Sequence, residues 1–111
     1  MKISELAETL QLELLTEPDY DDREITGCYI GDLLSWVMGR AKPQDVWITV
    51  MSNVNIVAVA SLADAACVVV SEDVPIEDAV LQKANMQDVV ILRSPLPSYE
   101  LGLRVHEAAG I

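Results

Sequence analysis

The stretch from Val46 to Val70, VWITVMSNVNIVAVASLADAACVVV, decides the fold. Its first part, Val46–Val50, is rich in β-branched and aromatic residues and is typical of a buried strand. A polar turn follows, then the apolar segment Val54–Ala63, which predicts a helix, and the run Ala66–Val70, which predicts a second strand. The stretch Val46–Ala63 contains no charged residue and is long enough to suggest a membrane-spanning helix. Ser52, Asn53 and Asn55 in its centre argue against a membrane span.

The flanking segments continue the alternation of strands and helices. Further strands are predicted at Leu12–Thr16, Ile25–Ile30 and Val89–Leu92. Helices are predicted up to Gln11 and over Leu33–Gly39, Ile76–Asn85 and Tyr99–Ala108, with Ser4, Asp32 and Ser98 as caps. Continuous apolar strands that alternate with helices indicate a mostly parallel sheet with helices on both faces. The length of 111 residues predicts one α/β domain over residues 1–111.

The charge balance excludes two classes of partner. Eighteen acidic residues against seven basic ones give a formal net charge of -11. Binding to nucleic acid needs clustered Lys and Arg, and an anionic membrane surface also selects basic proteins. We therefore expect neither partner.

The two cysteines, Cys28 and Cys67, show neither a zinc pattern nor a dithiol redox pattern. The amino-terminal residues lack the apolar core of a signal peptide. We expect a cytoplasmic protein without a metal or another cofactor, and with both thiols buried.

Small polar residues follow the predicted parallel strands, where open α/β sheets bind ligands. The candidate ligand-binding residues are Thr49, Ser52, Asn53, Asn55, Ser71 and Ser94. Such side chains and nearby helix N-termini suit a phosphate, but helix caps and turns favour the same residue types. Both interpretations stay open, because neither of the two best-known glycine-rich phosphate motifs is present.

Catalytic candidates are few. His106 is the only histidine and has no nucleophile motif beside it, which favours a surface position near a helix end. Cys28 would need a nearby cation or helix N-terminus to become reactive, and only Arg23 is close in sequence. The acidic segment Glu17–Glu24 lacks the spacing of a calcium loop and is predicted to be a solvated loop. We therefore expect no catalytic residue, and a small enzyme that uses Cys28 is the weakest alternative.

The predicted helix Val54–Ala63 has almost no polar face. Such a helix is either buried on all sides or packed against another subunit. Full burial is difficult in so small a domain, because most residues must lie near the surface. The pattern therefore predicts a homodimer. Trp36 and Trp47 are expected to be core or interface anchors.

Several runs together resemble the DRTGG domain family, from about Leu12 to Ala108. ITGCYIGDLL at Ile25–Leu34 resembles the strand-to-helix entry of that family. KPQDVWIT at Lys42–Thr49 resembles a strand of the family with the pattern Pro-Gly-Asp, two apolar residues and Ile-Thr, with Gln44 in place of the usual glycine. AACVVV at Ala65–Val70 resembles a later strand, and Ser94-Pro95 with Tyr99-Glu100 resembles the entry to the last helix.

The resemblance implies a fold similar to the N-terminal domain of HPr kinase and a regulatory or dimer-forming role without catalysis. Family members occur in CBS-domain pyrophosphatases, in some phosphotransacetylases and as short stand-alone proteins. In the pyrophosphatases the CBS domains hold the adenine nucleotides. We therefore expect a nucleotide ligand for this chain, although the nucleotide-binding residues of the pyrophosphatases belong to their CBS domains and not to the DRTGG domain.

One segment departs from the family pattern. Many relatives have glycines and an Asp-Arg pair after the third strand, but this chain has Val50–Asn55. Without the glycines, the backbone of this loop cannot approach a phosphate closely. Without the arginine, no side chain is available to bind an anion through two hydrogen bonds. Asn53 and Asn55 remain able to recognise a neutral polar group. The alternative function is a structural or protein-docking subunit of a larger metabolic or redox complex.

Overall fold

The computed structural model describes residues 1–111 and contains five strands and five helices. The strands are β1 (Glu13–Leu14), β2 (Gly27–Ile30), β3 (Asp45–Thr49), β4 (Cys67–Val70) and β5 (Ile91–Arg93). The helices are α1 (Ile3–Leu10), α2 (Leu34–Arg40), α3 (Asn55–Ala63), α4 (Asp78–Met86) and α5 (Ser98–Ala109). Each of these elements corresponds to a predicted one, and the α/β fold class is confirmed.

The strands form one sheet in the order β1-β5-β4-β3-β2. β2 to β5 run parallel, and β1 pairs with β5 in the antiparallel direction. Both outermost strands, β1 and β2, have one unpaired edge. The three central strands are buried on both faces, which explains why their sequences read as continuous apolar runs.

Two apolar cores lie on opposite faces of the sheet. The first joins α1 and α5 to the face that carries Val46, Ile48 and Val69. The second joins α2, α3 and α4 to the face that carries Trp47 and Val68. Alternation along each strand divides its side chains between the two cores. The predicted three-layer arrangement is therefore confirmed.

The predicted helix N-caps Ser4, Asp32 and Ser98 are not the observed ones. The cap of α1 lies two residues earlier, and those of α2 and α5 differ from the predicted residues by one position. Ser4 lies inside α1, where its backbone N donates to Asp22 Oδ1 at 2.9 Å and its hydroxyl bonds the other carboxylate oxygen. Lys2 occupies the cap position, and Glu5 accepts its backbone N–H. Desolvation raises the pKa of Asp22, but the two hydrogen bonds from Ser4 outweigh it and leave that pKa below its usual value.

Helix α3 is apolar because it is the middle helix of three, and no partner subunit is needed to bury it. Ile56, Val57, Val59 and Ala60 are buried against the sheet and its neighbours α2 and α4. Leu62 lies on the outer side and is 70% exposed. Packing within the chain therefore accounts for most of the apolar residues of α3, and the homodimer stays a prediction.

None of the five helices combines the length and the apolar character that crossing a bilayer requires.

Candidate functional site

Three of the predicted site residues lie side by side at the carboxyl edge of the sheet. Thr49 ends β3, Ser71 follows β4 and Ser94 follows β5, and all three are buried. Ser71 N donates to Thr49 O at 3.0 Å, and Ser94 N donates to Val70 O at 2.9 Å, so the ladder extends through them. The sequence correctly indicated that the parallel strands bring these residues together.

The hydroxyl of Thr49 is held inside the protein. Thr49 Oγ1 donates to Asp32 Oδ1 at 2.8 Å, and Val50 N donates to the same oxygen at 2.9 Å. Met51 N in turn donates to Thr49 Oγ1 at 3.1 Å. Asp32 was expected to cap α2, but Leu33 holds the cap position without any side-chain hydrogen bond. The Asp32 carboxylate instead closes the turn after β3, and no local sequence signal distinguishes the two roles.

The hydroxyls of Ser71 and Ser94 also stabilise turns. Ser71 Oγ lies 2.7 Å from Ser98 Oγ, and Ser94 Oγ accepts the backbone N–H of Leu96 at 3.2 Å. Ser98 was predicted to cap α5, but it is the first residue of the helix, and Pro97 occupies the cap position. The turn residues Glu72 and Asp73 both have left-handed backbones. Turn and cap chemistry thus accounts for these side chains.

A groove of about 510 Å³ lies beside the loop between β3 and α3. Ser52 and Asn53 line one wall, and Glu77 is the charged residue of the other. Asn53 Oδ1 accepts the backbone N–H of Asn55 at 2.9 Å, which starts α3. The remaining lining residues are apolar or prolyl: Val54, Pro75, Ile76, Ala79 and Val80. No Lys or Arg lines this groove, so it suits a neutral polar or apolar group better than a phosphate.

A larger groove of about 620 Å³ lies at the opposite, amino edge of the sheet. The acidic segment predicted to be a solvated loop forms part of its wall through Glu17, Asp19 and Asp21. Arg23 anchors this segment, because Arg23 Nη1 lies 3.1 Å from both Ala65 O and Asp64 Oδ1. The segment is an exposed loop, as predicted, and Arg23 fixes it to the turn before β4. No group of three or more His, Cys, Asp or Glu side chains is arranged to hold a metal ion.

The two thiols differ in exposure but not in chemistry. Cys67 is buried, whereas Cys28 on β2 is exposed, so the expectation that both are buried is wrong for Cys28. Desolvation, and after it the Asp45 carboxylate, raises the pKa of Cys28 to about 11. Burial raises the pKa of Cys67 to about 12. A nucleophilic thiol needs a lowered pKa, so neither cysteine has the environment of a reactive one.

His106 is exposed on α5, as the sequence predicted. Its Nδ1 lies 2.7 Å from the backbone oxygen of Ile111, near the end of the chain. No nucleophile or orienting carboxylate pairs with this ring, so the residues of a catalytic triad are not assembled here.

Comparison with known proteins identifies the family. The sequence model of the DRTGG domain family matches residues 5–108, which is nearly the whole chain. The chain belongs to the DRTGG domain family. Gln44, which stands where the DRTGG pattern usually has glycine, has a left-handed backbone with φ 67°. Glycine adopts that conformation at little cost, which gives a physical reason for the family preference.

A solved structure has a similar fold at low identity. It contains the CBS and DRTGG domains of the regulatory region of Clostridium perfringens pyrophosphatase, in complex with the activator diadenosine tetraphosphate. The TM-score is 0.74 and the sequence identity is 10%. The alignment covers 96% of this chain and 46% of that chain, so this DRTGG domain spans just under half of the regulatory region. The chain matches no curated protein.

Proposed function

We propose that this DRTGG domain is a non-catalytic regulatory protein of the cytoplasm that forms a homodimer and senses a small ligand. The observation that carries the proposal is the family match over residues 5–108, together with a structural neighbour that is a regulatory region. A single DRTGG domain over residues 1–111 would carry this role. An adenine nucleotide is the first ligand to test, since the neighbouring structure holds one.

The chemistry of the side chains supports a role without catalysis. Desolvation raises the pKa of the Cys28 thiol to about 11, so very little of it is thiolate at neutral pH. The single histidine has no catalytic partner, and the hydroxyls of Thr49 and Ser71 are engaged in hydrogen bonds within the fold. The alternative of a small enzyme that uses Cys28 therefore lacks support.

We place the ligand in the groove beside α3. Ser52 and Asn53 would face it directly, and Asn55 lies exposed at the start of the helix. Thr49, Ser71 and Ser94 would shape this edge of the sheet through their turns, because their hydroxyls already have partners. The lining favours the base or sugar of a nucleotide over its phosphates, since it offers amide and apolar groups and no cation.

Thermal unfolding against adenosine, ATP, diadenosine tetraphosphate and GTP tests the ligand. A ligand at 100 times its dissociation constant adds about 2.7 kcal/mol, a shift of the order of ten degrees in a domain of this size. The Ser52→Ala variant should reduce the shift, and Ser35→Ala, at an exposed position on α2, is the matched control. If no nucleotide shifts the wild-type transition, the nucleotide-sensing part of the proposal is wrong.

A second candidate function is a protein-docking subunit of a larger complex. The observation that favours it is the number of large apolar side chains that remain exposed, among them Leu33, Trp36 and Met86. Isolated exposed apolar residues are common on protein surfaces, whereas a contiguous patch marks an interface. Whether these side chains form one contiguous patch therefore decides whether they mark a protein interface.

A further inference from the structure

We infer that two copies of this chain join through the exposed edge of β2, antiparallel about a two-fold axis, so that the two sheets become continuous. The inference rests on the dimer in the proposed function and names the surface that forms it. The β2 edge surface is defined by Cys28, Ile30, Leu33, Trp36 and Arg40.

The backbone of β2 offers unpaired hydrogen-bonding groups to a second strand. Ile30 pairs with Ile48 of β3, and the hydrogen bond beside this pair runs from Gly31 N to Ile48 O at 3.1 Å. Backbone groups alternate in direction along a parallel strand, so those of Tyr29 face β3 and those of Cys28 and Ile30 point away from the sheet. An edge of this kind is a template for pairing with another strand.

Apolar side chains flank this edge on both faces of the sheet. Ile30 is 46% exposed on the α5 side, where its Cδ1 lies close to Gly102. On the α2 side, Trp36 is 52% exposed, and the guanidinium carbon of Arg40 lies 3.9 Å from the centre of its ring. Leu33, at the cap position of α2, is 56% exposed. A strand edge with apolar groups above and below it gains burial when a second strand covers it.

The charges around the edge favour a second copy in the antiparallel direction. Arg40 and Lys42, two of only seven basic residues, lie beside the amino-terminal half of β2 and line a groove of about 380 Å³ there. Asp32 is exposed just beyond the carboxyl end of the strand. A two-fold axis places the basic end of each copy opposite Asp32 of the other. This complementarity offsets locally the repulsion between two chains of net charge -11.

The geometry allows an antiparallel register in which Cys28 of each copy lies opposite Ile30 of the other. Both residues present their outward N–H and C=O groups, so these two cross-strand pairs exchange four hydrogen bonds. Tyr29 of the two copies then meets at the axis.

Sedimentation velocity of the full chain over a range of concentrations, at moderate salt, tests the inference. The wild type should sediment as a dimer. Ile30→Lys places a charge in the interface and should weaken dimerisation at least a hundredfold. Cys28→Pro removes an outward N–H without touching the β2–β3 ladder, and should also give a monomer with an intact fold. Leu62→Lys on α3 and Met86→Lys on α4, exposed apolar positions far from this edge, are matched controls that should remain dimers.

Each outcome has a defined meaning. Monomeric Ile30→Lys and Cys28→Pro proteins with native circular dichroism, beside dimeric controls, support the β2 edge. A dimeric wild type that stays dimeric in both edge variants overturns this inference but leaves the proposed dimer in place. A wild type that is monomeric at every concentration overturns both, while the nucleotide titration tests ligand sensing independently. If Ile30→Lys does not fold, the Cys28→Pro protein decides.

Discussion

The two edges of the sheet are built in opposite ways. At one edge, β1 has only two residues, and Glu13 Oε1 accepts from Arg93 Nη2 at 2.9 Å across the pair. At the other, β2 has four residues and presents Cys28 and Ile30 without a charged side chain on the strand. Short edge strands and edge charges prevent unwanted pairing. This protein therefore protects one edge of its sheet and leaves the other available for pairing.

The largest expected effect comes from Tyr29→Pro, compared with Cys28→Pro on the same strand. The Tyr29 N–H faces β3, so proline there removes a ladder bond and should cost about 3 kcal/mol or more of unfolding free energy. Urea unfolding of both variants under monomeric conditions measures the difference. Equal destabilisation by the two prolines would show that the Cys28 N–H does not point outward.

The Cys28 thiol on β2 should react only slowly with an alkylating reagent. Its pKa is raised to about 11, so its alkylation by iodoacetamide should keep increasing with pH beyond pH 9 and level off only near pH 11. At pH 8 a thiol with this pKa has roughly one two-hundredth of the thiolate of an ordinary cysteine. Peptide mass spectrometry separates Cys28 from buried Cys67. A rate that is already constant at pH 8 would contradict the raised pKa.

Asp32 links the open edge to the carboxyl edge of the sheet. Asp32→Ala leaves Thr49 Oγ1 and Val50 N without their common acceptor and should cost about 2 kcal/mol in urea unfolding. Asp32→Asn keeps an acceptor oxygen and should recover most of that stability, while it weakens the dimer through the lost charge. A stability loss that is the same in both variants would mean that the acceptor oxygen is not what matters.

The smallest effect is expected at the protected edge. Arg93 pairs with Glu13, and its Nε lies 3.5 Å from Asp73 Oδ1, but both carboxylates are largely exposed. Arg93→Ala should therefore cost at most about 1 kcal/mol and leave the mass in sedimentation velocity unchanged. Glu13→Gln is the control for loss of the strand-to-strand pair alone. A variant that associates further through β1 would show that charge, and not strand length, protects this edge.

The sequence predicted the architecture well because apolar periodicity depends on local spacing and burial. Ten elements appear in the predicted order, and the runs at Val46–Val50 and Ala66–Val70 correspond to β3 and β4. Element ends were less accurate, because long-range hydrogen bonds decide them. Helix α4, for example, begins at Asp78 and not at Ile76, since Glu77 before it is extended.

The sequence predicted where the candidate residues lie in the sheet but not which hydrogen bonds they make. Strand ends gave Thr49, Ser71 and Ser94 correctly as neighbours, but their hydrogen-bond partners Asp32 and Ser98 come from other segments of the chain. The open edge was not predictable, because strand order cannot be read from one sequence. The sequence points to α3 as the dimer surface, whereas in the structure two neighbouring helices flank α3 and the edge of β2 is open.

Amide hydrogen exchange at β2, followed residue by residue as the protein concentration increases, tests directly whether two β2 edges pair. We expect the Tyr29 amide to be protected at every concentration, because it bonds to β3. The Cys28 and Ile30 amides should be exposed in dilute solution and become protected as the dimer forms. Cys28 and Ile30 amides that exchange at the rate of an open chain at every concentration would contradict the pairing of two β2 edges.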